Sequence, residues 1–149
     1  MKSIIINSVA LFVVGATLLA FAPNLGGEGF EISLNNKMLI QKYGASINDV
    51  NSLELDQTAI NGQLTVNYHH CGRVGKNRVI CIKDRQDKVV KEWRFADGNG
   101  TAAMNFSVKD IVGLRKANNN FFKMYYSSSE LPNGRLLTSI VLGNSLTKK

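Results

Sequence analysis

The sequence predicts a mainly β domain, a two-layer antiparallel β-sandwich that is immunoglobulin-like in broad terms. Turn-forming residues recur roughly every ten residues, and the segments between them alternate apolar and polar side chains as half-buried strands do. About nine strands and one short helix result, and two packed sheets are the simplest way to cover both faces of so many strands. A closed barrel is the alternative architecture.

The first predicted hairpin joins residues 30–34, which alternate strictly, to an extended segment at residues 37–43. Asn35-Asn36 separates the two strands, and asparagine tolerates the positive φ angles of a two-residue turn. The sequence therefore predicts antiparallel pairing at the start of the domain.

A second hairpin is predicted from residues 52–60 and 63–70, which flank Asn61-Gly62. This dipeptide is the strongest short-range hairpin signal in the chain. A two-residue turn at this point would set Leu55 opposite Tyr68.

The middle of the chain predicts a strand at residues 78–84, a turn at residues 85–88 and a strand at residues 89–95. A further short strand is predicted at residues 101–106. Trp93 shares its predicted face with Phe95, and we expect it to be the core tryptophan of the sandwich.

One helix is predicted at residues 108–117, with Ser107 as its N-terminal cap and Asp110 in its first turn. The last two strands are predicted at residues 121–127 and 136–142. A loop that contains Pro132-Asn133-Gly134 is expected to join them.

Residues 1–22 have the layout of a secretory signal peptide, with Lys2 followed by an apolar stretch and the small residues of Ala20-Phe21-Ala22. The alternative is an uncleaved membrane anchor, since the apolar stretch approaches the roughly 20 residues that span a bilayer. We expect an exported protein, periplasmic or extracellular, with a single domain at residues 23–149. The chain has 44% apolar and 19% charged residues, which argues against a disordered tail.

The two cysteines of the chain, Cys71 and Cys81, are predicted to form a disulfide. If residues 75–77 form a three-residue hairpin loop, Cys71 falls directly opposite Cys81, and an oxidising compartment would permit the bond. The alternative is two free cysteines that act as small apolar groups.

A metal site is the alternative use of the same segment, with His69, Cys71 and Cys81 as soft or borderline ligands for copper or zinc. The spacing matches neither a zinc signature nor a blue-copper loop, so no cofactor is predicted. We expect His70 to be a buried, hydrogen-bonded core histidine.

Catalytic signatures are missing from the sequence. It contains no Gly-x-Ser-x-Gly, no His-Glu-x-x-His and no phosphate-binding glycine loop. A small hydrolase is therefore the least favoured function.

The charge distribution is the most informative feature for function. The whole chain carries a formal charge of +7, and residues 73–94 hold eight basic residues against three acidic ones. Such a concentration would attract an anionic glycan, a lipid headgroup or an acidic protein surface. A solvated face that keeps the protein soluble is the alternative. The predicted ligand-binding residues are Arg73, Lys76, Arg78, Arg85 and Lys88.

We therefore predict a non-catalytic binding or interaction module. Export argues against nucleic acid as its partner, and membrane association is expected only if the N-terminal segment is uncleaved. Phe121, Phe122, Tyr125 and Tyr126 cover both faces of their predicted strand, so an exposed ring could stack on a sugar or contact a protein.

Overall fold

A computed structural model describes residues 27–97, 103–116 and 119–143. The predicted signal peptide, residues 1–22, lies outside the described residues. The described residues form nine strands, β1 (Gly29–Leu34), β2 (Lys37–Tyr43), β3 (Asn51–Leu55), β4 (Gln63–His69), β5 (Arg78–Lys83), β6 (Val89–Phe95), β7 (Ala103–Ser107), β8 (Phe121–Ser128) and β9 (Leu131–Leu142). One α-helix, α1 (Val108–Val112), and two 3-10 turns, Gly44–Asn48 and Gln57–Ala59, complete the described elements.

The strands form two sheets, which confirms the predicted β-sandwich. Sheet A has the order β2-β1-β4-β7, and sheet B has the order β3-β9-β8-β5-β6. Within the described ranges the strands do not close into a barrel. All pairs are antiparallel except β3 with β9, which are parallel. The all-antiparallel expectation is wrong at that edge, since β3 and β9 are far apart in the sequence and no hairpin joins them.

The first hairpin is confirmed. Asn35 and Asn36 have φ angles of 49° and 66°, the left-handed values that a type I′ turn requires. The register of β1 and β2 shifts between Ile32 and Ser33, which leaves Leu39 of β2 without a directly opposed residue.

The second predicted hairpin, at Asn61-Gly62, is wrong. Asp56 accepts hydrogen bonds from the backbone N–H groups of Thr58 (2.9 Å) and Ala59 (3.3 Å), so the chain enters a 3-10 turn before it reaches Asn61. The strand before this turn, β3, then joins sheet B and β4 joins sheet A. Leu55 is therefore paired with Leu142 and not with Tyr68.

The short helix is confirmed in place but ends earlier than predicted. Ser107 Oγ accepts a hydrogen bond from Lys109 N at 3.2 Å, as expected of the cap. The helix ends at Val112, next to Gly113, while the prediction continued to residue 117.

The final hairpin also differs from the prediction. β9 begins at Leu131, so Pro132-Asn133-Gly134 lies inside the strand and the turn falls at Ser129 and Glu130. Gly134 has a φ of 70°, beside a register shift between Tyr126 and Ser128. Pro132-Asn133-Gly134 thus lies at a β-bulge within the hairpin and does not form its turn.

The core lies between the two sheets and is built from the inward-facing residues of both. Trp93 is half-buried and stacks on Phe106, with ring centroids 4.6 Å apart, where the β6 edge of sheet B meets the β7 edge of sheet A. The largest fully buried side chains are Tyr68, Tyr126, Phe30, Phe122, Ile32, Leu55, Leu64, Ile80, Ile82, Met104, Ile111 and Met124.

One end of the core holds an aromatic and polar cluster that connects the sheets. Tyr68 of sheet A stacks on Tyr126 of sheet B, with centroids 4.1 Å apart. Tyr68 donates to Glu28 at 2.6 Å, and Arg135 of sheet B donates to the other oxygen of the same carboxylate at 2.8 Å. Burial raises the pKa of both tyrosines, so each hydroxyl keeps its proton and can donate.

His70 completes this cluster and is confirmed as a hydrogen-bonded, largely buried histidine with a 12% exposed side chain. Its Nε2 lies 3.0 Å from the Tyr126 hydroxyl and 3.1 Å from Ser128 Oγ. Gly75, in the connection from β4 to β5, covers these groups. We call Glu28, Tyr68, His70, Tyr126 and Ser128 the inter-sheet cluster.

Gly75→Ala should destabilise the protein by about 1–3 kcal/mol, since overpacking forces neighbours out of place. The added methyl carbon would lie 2.5 Å from the Tyr126 hydroxyl, 2.8 Å from His70 Nε2 and 3.0 Å from Glu130 Oε2. Urea denaturation measures the loss. Gly27→Ala is the control, because the nearest atom to its new methyl would be 3.9 Å away. Equal stabilities of the two variants would contradict the packing described for Gly75.

Candidate functional site

The five predicted ligand-binding residues lie at two ends of β5. Arg73 and Lys76 precede the strand and are exposed, while Arg85 and Lys88 follow it and are exposed as well. A six-residue strand separates the two pairs by roughly 20 Å. The structure therefore does not bring all five together, and their binding role stays a prediction.

Arg78 differs from the other four because it is buried, with 3% of its surface exposed. Its Nη2 donates to the carbonyl oxygen of Ala96 at 2.9 Å, which ties β5 to the end of β6. This contact gives Arg78 a role in fixing the β5–β6 hairpin.

Arg85 and Lys88 lie beside an open groove of about 680 Å³ at the far end of β5. We call this the basic groove. Two chain segments form it, the turn and first residues of β6 on one side and the segment after α1 on the other. The residues that line it are Asp84, Gln86, Lys88, Val89, Val90, Gly113, Leu114, Arg115, Lys116, Asn119 and Phe122.

The turn on one side of the groove is held by Asp84. Its Oδ1 accepts from the backbone N–H groups of Gln86 and Lys88, each at 3.0 Å. The carboxylate is thereby engaged by the backbone, and the Lys88 side chain stays exposed. The other acidic residue of the turn, Asp87, accepts from Lys123 Nζ at 2.8 Å and does not line the groove.

The opposite wall is anchored by Arg115. Its Nη2 donates to the carbonyl oxygen of Leu142 at 2.7 Å and also contacts that of Gly143, so the guanidinium is held at the end of β9. Lys116 follows and is exposed, with its backbone N–H donating to Asn119 O at 3.2 Å.

Arg85 extends the positive rim beyond the groove. Its guanidinium carbon lies 5.9 Å from the centroid of the Phe121 ring, and Nη2 lies 3.5 Å from Asn120 Oδ1. Three cations line the groove, Lys88, Arg115 and Lys116, and among the described lining residues Asp84 is the one carboxylate. Clefts lined by one sign of charge attract ligands of the opposite sign.

The sequence prediction does not include the second wall of this groove. It assigns Arg115-Lys116 to the helix at residues 108–117, although a dibasic pair at a helix end is a visible charge signal. What the sequence could not show is that β5, β6 and the segment after α1 meet at one end of the sandwich.

The aromatic residues of β8 are divided as their alternation suggested. Phe122 and Tyr126 are buried, whereas Phe121 and Tyr125 are half-buried on the outer face of sheet B. Lys83 Nζ lies 4.3 Å from the centroid of the Tyr125 ring. That ring is thus already covered by a cation.

The predicted disulfide between Cys71 and Cys81 is wrong, and both cysteines are free. Cys71 lies in a tight turn with a φ of 50° and is exposed, while Cys81 lies within β5, paired with Glu92 and Tyr125. The physical reason is that β4 and β5 belong to different sheets and never pair.

The alternative metal site fails for the same reason. His69 lies in sheet A, Cys81 lies in sheet B, and Cys71 lies in the connection between them. Across the part of the chain that the structure describes, no three His, Cys, Asp or Glu side chains gather closely enough to hold a metal ion.

A nucleophile and a base do meet in the inter-sheet cluster. Ser128 Oγ lies 3.1 Å from His70 Nε2, and His70 Nδ1 lies 3.9 Å from Glu28 Oε1. A hydrolase would need a substrate carbonyl beside Ser128. Ser128 is 5% exposed and Gly75 packs over His70 and Tyr126, so these side chains lie inside the fold, where they connect the two sheets.

Native protein purified in air should contain two thiols, with Cys71 alkylated faster than Cys81. Cys71 is exposed, while burial raises the pKa of the Cys81 thiol, which lowers its thiolate fraction near pH 8. Iodoacetamide labelling followed by peptide mass spectrometry measures both rates, and Cys71→Ser and Cys81→Ser assign them. If the protein instead shows no reactive thiol until a reductant is added, the disulfide does form.

No protein-family model matches the chain, and no curated protein sequence matches it significantly. Among the described residues, no helix is long and apolar enough to cross a membrane.

Proposed function

We propose that the protein is an exported, non-catalytic binding module that holds an acidic glycan in the basic groove. The observation that carries this proposal is the convergence of Lys88 from one chain segment with Arg115 and Lys116 from another around a single groove. Positive charges that converge at one groove create a stronger local electrostatic potential than the same charges spread along a solvent-exposed strand.

The size and walls of the groove favour an oligosaccharide over a single small anion. A volume of about 680 Å³ is within the range of small-molecule sites and would be mostly empty around one phosphate or sulfate. Val89 is 47% exposed, and Leu114 and Val90 are partly buried along the same walls. The C–H faces of sugar rings can pack on such side chains while carboxylates or sulfates meet the lysines.

Export supports the choice of a glycan as partner. Residues 1–22 have the features of a signal peptide, and an exported basic protein meets acidic polysaccharides outside the cytoplasm. An acidic protein surface and an anionic lipid headgroup carry the same sign of charge as an acidic glycan. The experiment below distinguishes these three partners. The groove needs no metal or other cofactor to attract an anion.

Reversing the charge of both exposed lysines, Lys88→Glu with Lys116→Glu, should weaken binding of polygalacturonate about tenfold at low salt. Both side chains lie at the groove, and binding that depends on them should also fall as salt rises, because exposed charges are screened beyond about 8 Å at physiological ionic strength. Affinity electrophoresis or calorimetry with polygalacturonate measures the change.

Two single charge reversals outside the groove are controls, and their combination, Lys37→Glu with Lys76→Glu, matches the charge change of the groove variant. Lys76→Glu lies at the other end of β5, and Lys37→Glu lies at the start of β2 in sheet A. Each should bind nearly as well as the unmodified protein. Polygalacturonate binding no stronger than dextran binding, or an equal loss in the Lys76→Glu variant, would refute the groove. Preference for anionic vesicles or polyglutamate would replace the glycan with a lipid or protein partner.

A further inference from the structure

Tyr43 lies on the outer face of sheet A, in close contact with a glycine of the neighbouring strand. Gly29 of β1 is paired with Tyr43 of β2, and a methyl group added to Gly29 would lie 2.0 Å from Cδ1 and 2.4 Å from Cε1 of the tyrosine ring. The ring therefore occupies the space above the Gly29 backbone. Such covering of a strand glycine by an aromatic ring stabilises a hairpin, and the contact is made by Cδ1 and Cε1 along one side of the ring.

Hydrogen bonds fix the ring in this position. The Tyr43 hydroxyl donates to Glu31 Oε1 at 2.5 Å, and Gln41 Nε2 donates to the same oxygen at 3.0 Å. The Tyr43 hydroxyl holds the pKa of Glu31 below its usual range, so the carboxylate stays ionised at neutral pH. Glu31 thus presents further acceptor capacity beside a ring that cannot easily rotate away.

Much of the ring is nevertheless accessible. Tyr43 is 43% exposed, although its ring contacts the Gly29 backbone and its hydroxyl donates to Glu31. Polar side chains flank it on the same face of sheet A: Gln41 is exposed, and Asn67 of β4 is paired with Glu31. We call Tyr43, Glu31, Gln41 and Asn67 the tyrosine platform.

We propose that the tyrosine platform is a second binding site, separate from the basic groove, that takes a neutral pyranose of a glycan. An exposed aromatic ring can pack against the C–H face of a sugar, and the adjacent carboxylate and amides can bind the sugar's hydroxyl groups. The charge of the platform selects a neutral sugar. Glu31 would repel an acidic one, and the described outward-facing residues of β1, β4 and β7 include no lysine or arginine.

β2 lies at the edge of sheet A, but this edge is a poor site for the addition of a β-strand from a partner. The register shift between Ile32 and Ser33 leaves Leu39 as an extra residue and breaks the regular row of backbone groups that strand addition uses. A flat sugar ring needs no such row.

The test is affinity gel electrophoresis of the purified protein in gels that contain hydroxyethylcellulose, xylan or laminarin. At least one of these neutral polysaccharides should retard the protein, and Tyr43→Ala should lower the association constant about tenfold through loss of the stack. Tyr43→Trp should retain binding. Val50→Ala is the control, since Val50 is an exposed apolar residue, 55% exposed, outside the platform.

The double variant Lys88→Glu, Lys116→Glu separates the two sites, because it should leave binding of the neutral polysaccharide unchanged. If Tyr43→Ala does not fold, as judged by its thermal unfolding, Gln41→Ala decides the question and should weaken binding at least about threefold. Absence of retardation by all three polysaccharides, or unchanged retardation of the folded platform variants, would overturn the proposal.

Discussion

The stacked rings of Tyr68 and Tyr126 join the two sheets, and the course of the chain depends on this contact. Between β4 and β5 the backbone leaves sheet A and enters sheet B, and Gly75 in that connection packs against Tyr126 and His70. Buried hydroxyls and a histidine are tolerated there because they satisfy one another. The crossing determines which residues of the middle segment can become neighbours.

Because of this crossing, basic residues that are close together in the sequence lie at different ends of the folded domain. β5 runs away from the inter-sheet cluster, so the basic residues before it remain at one end and those after it reach the other. At this second end the turn after β5 meets the segment after α1, and Lys88 comes to share a groove with Arg115 and Lys116. The tyrosine platform lies on the outer face of sheet A, with a carboxylate in place of cations.

Local signals predicted local structure well. Asn35 and Asn36 specify their turn because they accept positive φ angles that few other residues adopt. Ser107 caps the helix through a hydrogen bond from Lys109 N, a residue only two positions away. Asn61-Gly62 misled because Asp56 forms a competing local turn just before it. The cysteine pairing and the groove depend on which sheet each strand joins, and that choice is set by packing between strands far apart in sequence. The two-residue periodicity of a strand correctly predicted which residues of β8 share a face. No pattern in the sequence, however, shows which strands become neighbours.

The most direct measurement of the central claim is an NMR titration of the isotopically labelled protein with a short galacturonate oligosaccharide. An anion bound in the basic groove should shift the backbone amide signals of residues 84–90 and 113–116, with those of residues 71–77 nearly unchanged. The groove is built from the first two segments, and the third lies at the opposite end of β5. Shifts concentrated in residues 71–77, or uniformly small shifts throughout the domain, would contradict the assignment of the binding site.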